Sequence, residues 1–507
     1  MQQPPSDPTA VPAATGSSPT GSAPTGSGTG PSHESPGGSA AGREASGSFG
    51  GSAAAAGVAN TVAALMPRAK SELAELVAFR SVADPEQFPR SECEGAAEWI
   101  ARALRAEGFQ DVATLDTPDG TQSVYGFLPG PEGAPTVLLY AHYDVQPPLD
   151  EAAWRTPPFE LTDGADGRWY GRGAADCKGG FIMHLLALRA VRENGGLPVS
   201  VKMIVEGSEE QGTGGLEEYA RSRPELLAAD AIVIGDAGNF RCGLPTVTAT
   251  LRGMALLRVQ VDTLEGNLHS GLFGGAAPDA LAALLRTLDS LRDADGNTVI
   301  DGLEAGAPWE GMPYPEEDFR QDAKVLDGVG LLGSGAVADR LWARPAVTVL
   351  GIDCPPVVGA TPSVHASARA LVSLRIPPGT DVEKAVELLV AHVESHVPWQ
   401  ARVTTELVGK GQPFSADTTS PAYSAMAEAL RAAYDGQEMQ ISGMGGSIPL
   451  CNALDALYPE AEILLIGLSE PEAQIHAVNE SVDPRELERM AVAEALFLRG
   501  YAAQAAG

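Results

Sequence analysis

Four short apolar runs, each followed by an acid or an imidazole, most constrain how this 507-residue chain can fold. They are "TVLLYAHYD" from Thr136, "VSVKMIVEGSEE" from Val199, "AIVIGDAG" from Ala231 and "AEILLIGLSEPEAQIH" from Ala461. Continuous apolar runs of this length suit strands covered on both faces. Segments of helical spacing separate them, among them "EGAAEWIARALRAEGF", "FIMHLLALRAVREN", "GLEEYARSR" and "RELERMAVAEALFLRGYAAQ". The alternation predicts an α/β fold, with a mostly parallel sheet and helices on both faces.

The texture changes near Thr246. Alternating strands, "VTATLRGMALLRVQVD" and "ARALVSLRI", are joined by the helices "PDALAALLRTLDSLRD" and "VEKAVELLVAHVESH". This reads as an inserted α+β domain over 247–408, flanked by two pieces of one α/β domain, 56–246 and 409–507. Residues 1–55 are built from Gly, Ser, Pro, Ala and Thr. They offer too little apolar surface to offset ordering entropy and are read as a disordered, solubilising tail.

A net charge of −32 argues against a nucleic-acid partner or an anionic membrane. The five cysteines, Cys93, Cys177, Cys242, Cys354 and Cys451, are scattered without a Cys-x-x-Cys pair. They fit a reducing compartment rather than a disulfide framework. The N-terminus carries neither the basic nor the apolar segment of a secretory signal, and no apolar run reaches a membrane span's roughly 18 residues. A cytoplasmic location is expected.

In parallel sheets the chemistry gathers at the carboxyl ends of the strands. The polar residues just past those ends are His142 and Asp144, Asp176, Glu209 and Glu210, Asp236 and His476. So many carboxylates brought together would repel one another and acquire raised pKa values. Two divalent cations resolve the conflict, and mixed histidine and carboxylate ligands favour Zn²⁺, with Mn²⁺ or Co²⁺ as alternatives. Two such ions can share a water and polarise a carbonyl. His392 and His396, four apart on a helix of the inserted segment, read as a solvated face without a third ligand. His184, in an apolar helix, reads as a core residue or one that backs a ligand, and the remaining cysteines as small packing residues.

With these motifs assembled, the chain from about 57 to 500 resembles the di-zinc metallopeptidase family of carboxypeptidase G, carnosinase-like dipeptidases, aminoacylases and succinyl-diaminopimelate desuccinylase. The resemblance implies His142 as a zinc ligand and Asp144 as the acid that orients it. The bridging ligand falls on Asp176 in "RGAADCKGG", where Cys177 replaces the usual Asp or Asn after an expected cis peptide. Cys177 is expected to be neither ligand nor nucleophile.

Glu209 is implied as general base and Glu210 as ligand. The positions alone leave open which ion each ligand holds. The resemblance implies His142 and Asp236 on one, and Glu210 and His476 on the other. It further implies that His269 in "GNLHSGLFGG" reaches the active site of a neighbouring subunit and steadies an oxyanion, and that the inserted domain is a lid and homodimerisation element. Arg375 in "ALVSLRIPP" matches an arginine for the substrate carboxylate, a task suited to a bidentate guanidinium. Gly446 and Ser447 in "GMGGSIP" match a loop at the substrate's C-terminal end, and Met444 stands where some carnosinase-like members carry Glu.

The expected activity is hydrolysis of dipeptides or similar short amides through a metal-bridging water. N-acyl-amino-acid deacylation on the same centre is the alternative, and a non-catalytic binding relative is the reading from a different class.

Overall fold

The computed structural model describes residues 51–505 apart from Ser447. Of the N-terminal tail, residues 1–50 therefore lie outside the described residues. Residues 51–55 belong to the helix Gly51–Val77, a correction to the expected boundary. Alanine has the highest helix propensity, and Val58, Val62, Ala69 and Leu73 recur at helical spacing and are fully buried.

Among the described residues the central sheet has nine strands. Its middle is formed by Ser200–Glu206, Thr136–His142, Ala231–Ile234 and Glu462–Leu465, side by side and parallel. Antiparallel strands flank them: Gln122–Leu128 and Gln110–Asp116 on one side, and Thr246–Leu251 with Phe414–Ser415 on the other. The strand Gln440–Met444 pairs parallel to Thr246–Leu251.

Side chains of a strand alternate between faces, and the two faces have separate cores. Val137, Leu139 and Ala141 pack with the helices Gly51–Val77, Arg90–Ala106, Lys178–Glu193, Pro421–Ala433 and Pro484–Ala505. Leu138 and Tyr140 face the helices Gly215–Ser222 and Pro449–Leu457. Because both faces are covered, the strands read as unbroken apolar runs in the sequence. The expected α/β class with helices on both faces is what the chain adopts.

A second sheet of four strands takes the order Ala346–Asp353, Ser367–Ile376, Gly253–Asp262, Arg402–Gly411, antiparallel throughout. The helices Ala280–Asp289 and Val382–His396 share its core. Thr246–Leu251 lies in the central sheet, and the second sheet opens at Gly253.

Candidate metal centre

Register brings the polar residues together. His142 ends its strand opposite Glu206, so Glu209 and Glu210 follow immediately on the neighbouring strand's turn. Ala231–Ile234 pairs with Val137–Tyr140 on the other side, which puts Asp236 two residues beyond that strand's end. Asp176 precedes the helix Lys178–Glu193 and is joined to Cys177 by a cis peptide bond. His476, with φ 60°, follows the short turn Pro471–Ala473.

The donor atoms fall into two sets with one shared member. His142 Nε2 lies 3.0 Å from Asp176 Oδ1 and 3.1 Å from Asp236 Oδ1. His476 Nε2 lies 3.0 Å from the other oxygen, Asp176 Oδ2, and 3.2 Å from Glu210 Oε2. Ligands held tetrahedrally at zinc distances stand roughly 3.3 Å apart, so both sets are spaced as cation ligands. Their oxygen and imidazole donors are also those such an ion selects.

The charges within the cluster are strongly coupled. Burial works against a charged His142 ring, yet Asp236 and the neighbouring carboxylates raise its pKa well above the ordinary value. Hydrogen bonds to Asp176 and Glu210 raise His476 to about 10. Burial and repulsion from Asp176 and Glu210 push Asp236 up to about 6, against the pull of His142. Glu209, raised to about 9, is held up by burial and by Asp236, with Asp144 and Glu210 adding to the effect. Positive charge is what this pocket lacks.

Several contacts that support the cluster were not read from the sequence, and of the residues that make them Glu480, Arg172 and Gln146 were not singled out there. The carboxylate of Asp144 accepts from the backbone N–H groups of Glu209 and Glu210, at 3.1 and 3.0 Å, and so holds the turn that presents both acids. Its nearer contact to His142 Nδ1 is the main-chain carbonyl at 3.0 Å, with the carboxylate at 3.4 Å. Glu480 Oε1 accepts from the N–H groups of Ala175 and Asp176, and its Oε2 pairs with Arg172 at 2.7 Å. Gln146 donates to Glu210 Oε2 at 2.7 Å. Glu480 stands four residues past His476 in "IHAVNES", the one signal that pointed to it.

The other named residues sit as follows. Arg375 lies on the strand Ser367–Ile376, half-buried, and burial lowers its pKa. Arg252 is buried beside it, lowered to about 10 by burial and by Arg375, and its Nε has no hydrogen-bond partner among the described residues. His269 is exposed; its Nδ1 accepts from Gly271 N at 3.1 Å, and no hydrogen bond or ion pair among the described residues joins it to the cluster. Gly446 follows the strand Gln440–Met444, and Ser447 lies outside the described residues. Cys177 is buried, donates to Gly235 O at 3.3 Å, and has its sulfur within 4.8 Å of donor atoms of His142 and Asp236.

His184 is a core residue, with Nδ1 2.8 Å from Glu494 and Nε2 3.0 Å from Tyr140 O. For His392 the solvated-face reading is overturned, whereas His396 is exposed as that reading expects. His392 is buried, the rings stack with centroids 3.9 Å apart, and Asp301 stands 3.5 and 3.8 Å from their Nδ1 atoms. Both Nδ1 atoms are already bonded to backbone, to Asp301 N and to His392 O, so the group is a packing joint.

The profile of "Peptidase family M20/M25/M40" matches residues 138–499. The chain is 46% identical over 435 residues to the cysteinylglycine-S-conjugate dipeptidase of Corynebacterium striatum, covering 85% of this chain and 94% of that protein. It is 28% identical to the Cys-Gly metallodipeptidase DUG1 of Saccharomyces cerevisiae, over 83% of this chain and 92% of the relative. The crystal structure of human carnosine dipeptidase 1 superimposes with a TM-score of 0.74 at 25% identity, covering 88% of this chain and 98% of that one. The two-set donor cluster at the strand ends and these matches together establish that the chain belongs to peptidase family M20/M25/M40 and is a metallopeptidase.

Proposed function

We propose that the chain hydrolyses the amide bond of dipeptides with two divalent cations, zinc by preference. The observation that carries this reading is the position of Asp176, whose two oxygens each stand 3.0 Å from a different histidine. In this reading His142, Asp236 and Asp176 would hold one ion, and Glu210, His476 and Asp176 the other. When bound, such a pair lowers the pKa of a water and polarises the scissile carbonyl.

The chain's own groups do the rest. Glu209 takes the proton of the attacking water and returns it to the leaving amine. Asp144 keeps the His142 ring and the Glu209 turn in place. Arg375, with Gly446 and Ser447, fixes the substrate's carboxylate; a half-buried guanidinium with no carboxylate partner among the described residues suits that task.

His269 donates to the developing oxyanion of a second subunit, which requires a homodimer. We assign that role and the lid to the segment 253–411, which carries the second sheet and so corrects the expected bounds 247–408, and catalysis to the flanking residues that build the central sheet. Exposed Leu350, Leu407 and Val408 on the edge strands of the second sheet support a covered face there. Five free cysteines support a reducing, cytoplasmic location.

The test is Glu209→Gln. It should retain both metal equivalents while turnover of a dipeptide falls by about three orders of magnitude. Unchanged turnover would overturn the mechanism. Cleavage of the N-acetylated dipeptide in preference to the free one would replace dipeptidase by deacylase.

A further inference from the structure

The turn that carries Glu209 and Glu210 has little of its own to hold it. It is a single helical turn, Glu209–Gln211. On its exit side Gly212 and Gly214 take φ 59° and 74°, the left-handed region that glycine enters without cost. Asp144 grips the turn from the metal side, through the N–H groups of Glu209 and Glu210.

A second carboxylate grips it from outside. Asp119 stands in the loop between the antiparallel strands Gln110–Asp116 and Gln122–Leu128. Its two oxygens serve two segments of chain. Oδ1 accepts within its own loop, from Thr117 Oγ1 at 2.6 Å and Thr121 N at 3.1 Å. Oδ2 accepts from Ser208 Oγ at 2.8 Å and from Thr213 Oγ1. Ser208 immediately precedes Glu209 and Thr213 follows Glu210 by three, so one oxygen ties both feet of the turn. A Cβ on Gly215 would collide with the Asp119 carboxyl, which therefore sits against the backbone just past the turn.

The clamp is charged. Burial opposes ionisation of Asp119, but hydrogen bonds from Thr117, Thr213, Thr121 and Ser208 hold its pKa below the ordinary carboxylate range. Hydrogen bonds to an ionised acceptor are about twice as strong as neutral ones. The two acids on the turn depend on it unequally. Glu210 is anchored a second time, by Gln146 at 2.7 Å. The Glu209 carboxyl makes no hydrogen bond among the described residues and takes its place from the backbone alone.

Resting on the reading of Glu209 as general base, we infer that Asp119 is a positioning residue, which through Ser208 and Thr213 sets the reach of the Glu209 carboxyl toward the attacking water. A misplacement of about 1 Å at a reacting group costs on the order of a hundredfold in rate. The experiment measures kcat and KM for alanylglycine, at saturating zinc, in Asp119→Ala, Asp119→Asn and Thr213→Val, each with and without Glu209→Gln. Asp119→Ala should lower kcat by about a hundredfold with KM nearly unchanged. Asp119→Asn, whose amide oxygen still accepts, should recover most of that loss. Thr213→Val removes one exposed donor at constant shape and should lower kcat by about tenfold. It keeps the test open should Asp119→Ala not fold.

In the Glu209→Gln background the same changes should cost no more than about twofold, because a group that acts through Glu209 then has nothing to position. Equal losses with and without Glu209, or an unchanged kcat in every variant that folds, overturn the inference. Should Glu209→Gln alone leave turnover unchanged, the general-base reading falls instead. The clamp is then judged by hydrogen exchange at the Glu209 and Glu210 amides. Exchange about tenfold faster in Asp119→Ala or Thr213→Val upholds it, and unchanged exchange overturns it.

Discussion

Glu480 shows how much of a metal centre is carried by residues that would never touch the metal. It is 1% exposed, as is its partner Arg172, and it accepts two backbone N–H groups on the approach to Asp176. Removing one member of a buried pair leaves the other as an uncompensated charge. Glu480→Ala should therefore cost about 3–5 kcal/mol of folding stability, read from urea unfolding. A loss below about 1 kcal/mol, the range of an exposed pair, would show that Arg172 finds another partner. Asp144 teaches a similar lesson. Its nearness to His142 was legible from the spacing His-x-Asp, but its grip on the Glu209 turn was not, because that contact joins residues 65 apart.

At the level of elements, the helix Lys178–Glu193 is the pivot of the site. Its N-terminus follows Asp176, and it is buried along nearly its whole length between the sheet and the helices Gly51–Val77 and Pro484–Ala505. His184 ties all three layers, bonding Glu494 on one side and Tyr140 on the other. Burial lowers the pKa of His184, but the Glu494 charge more than reverses this, so the folded-state value is raised. A raised histidine pKa adds stability that is complete below the unfolded value, about 6.5, and disappears as pH rises through the folded value. The stability gap between wild type and His184→Gln should accordingly be widest near pH 6 and narrow toward pH 9 in denaturant titrations. A gap that widens with pH would mean that His184 is neutral when folded. The strand-helix alternation was readable in advance because strands covered on both faces lack polar positions. His392 was misread because a helical wheel cannot reveal that the turn carrying Asp301 packs against it from elsewhere in the chain.

For the molecule as a whole, the acidic cluster couples ion uptake to protons. His142 and His476 both have raised pKa values, and ion binding must displace what they hold. Calorimetry in buffers of differing ionisation enthalpy should show net proton release on zinc uptake, and affinity should weaken as pH falls from 8 to 6. Proton-neutral binding would remove these histidines from the ligand set. The proposed homodimer would use the second sheet: mass measurement in solution should give a dimer, and Leu350→Lys on its exposed edge strand should shift the equilibrium toward monomer. A wild type that is monomeric at micromolar concentration would leave His269 without a partner site.

The sequence by itself determined the α/β class and the second α+β segment, because periodicity is a local property written in each element. It also pointed to the acids and imidazoles at the strand ends, since a parallel sheet leaves them nowhere else to converge. Only the tertiary structure decided how those donors divide around Asp176, what anchors them from below, and which remote acid clamps the turn that carries Glu209 and Glu210. Asp119 and Ser208 stand 89 residues apart and carry no common pattern along the chain. They meet only when the strands Gln122–Leu128 and Ser200–Glu206 pair, and no local signal encodes a contact of that span.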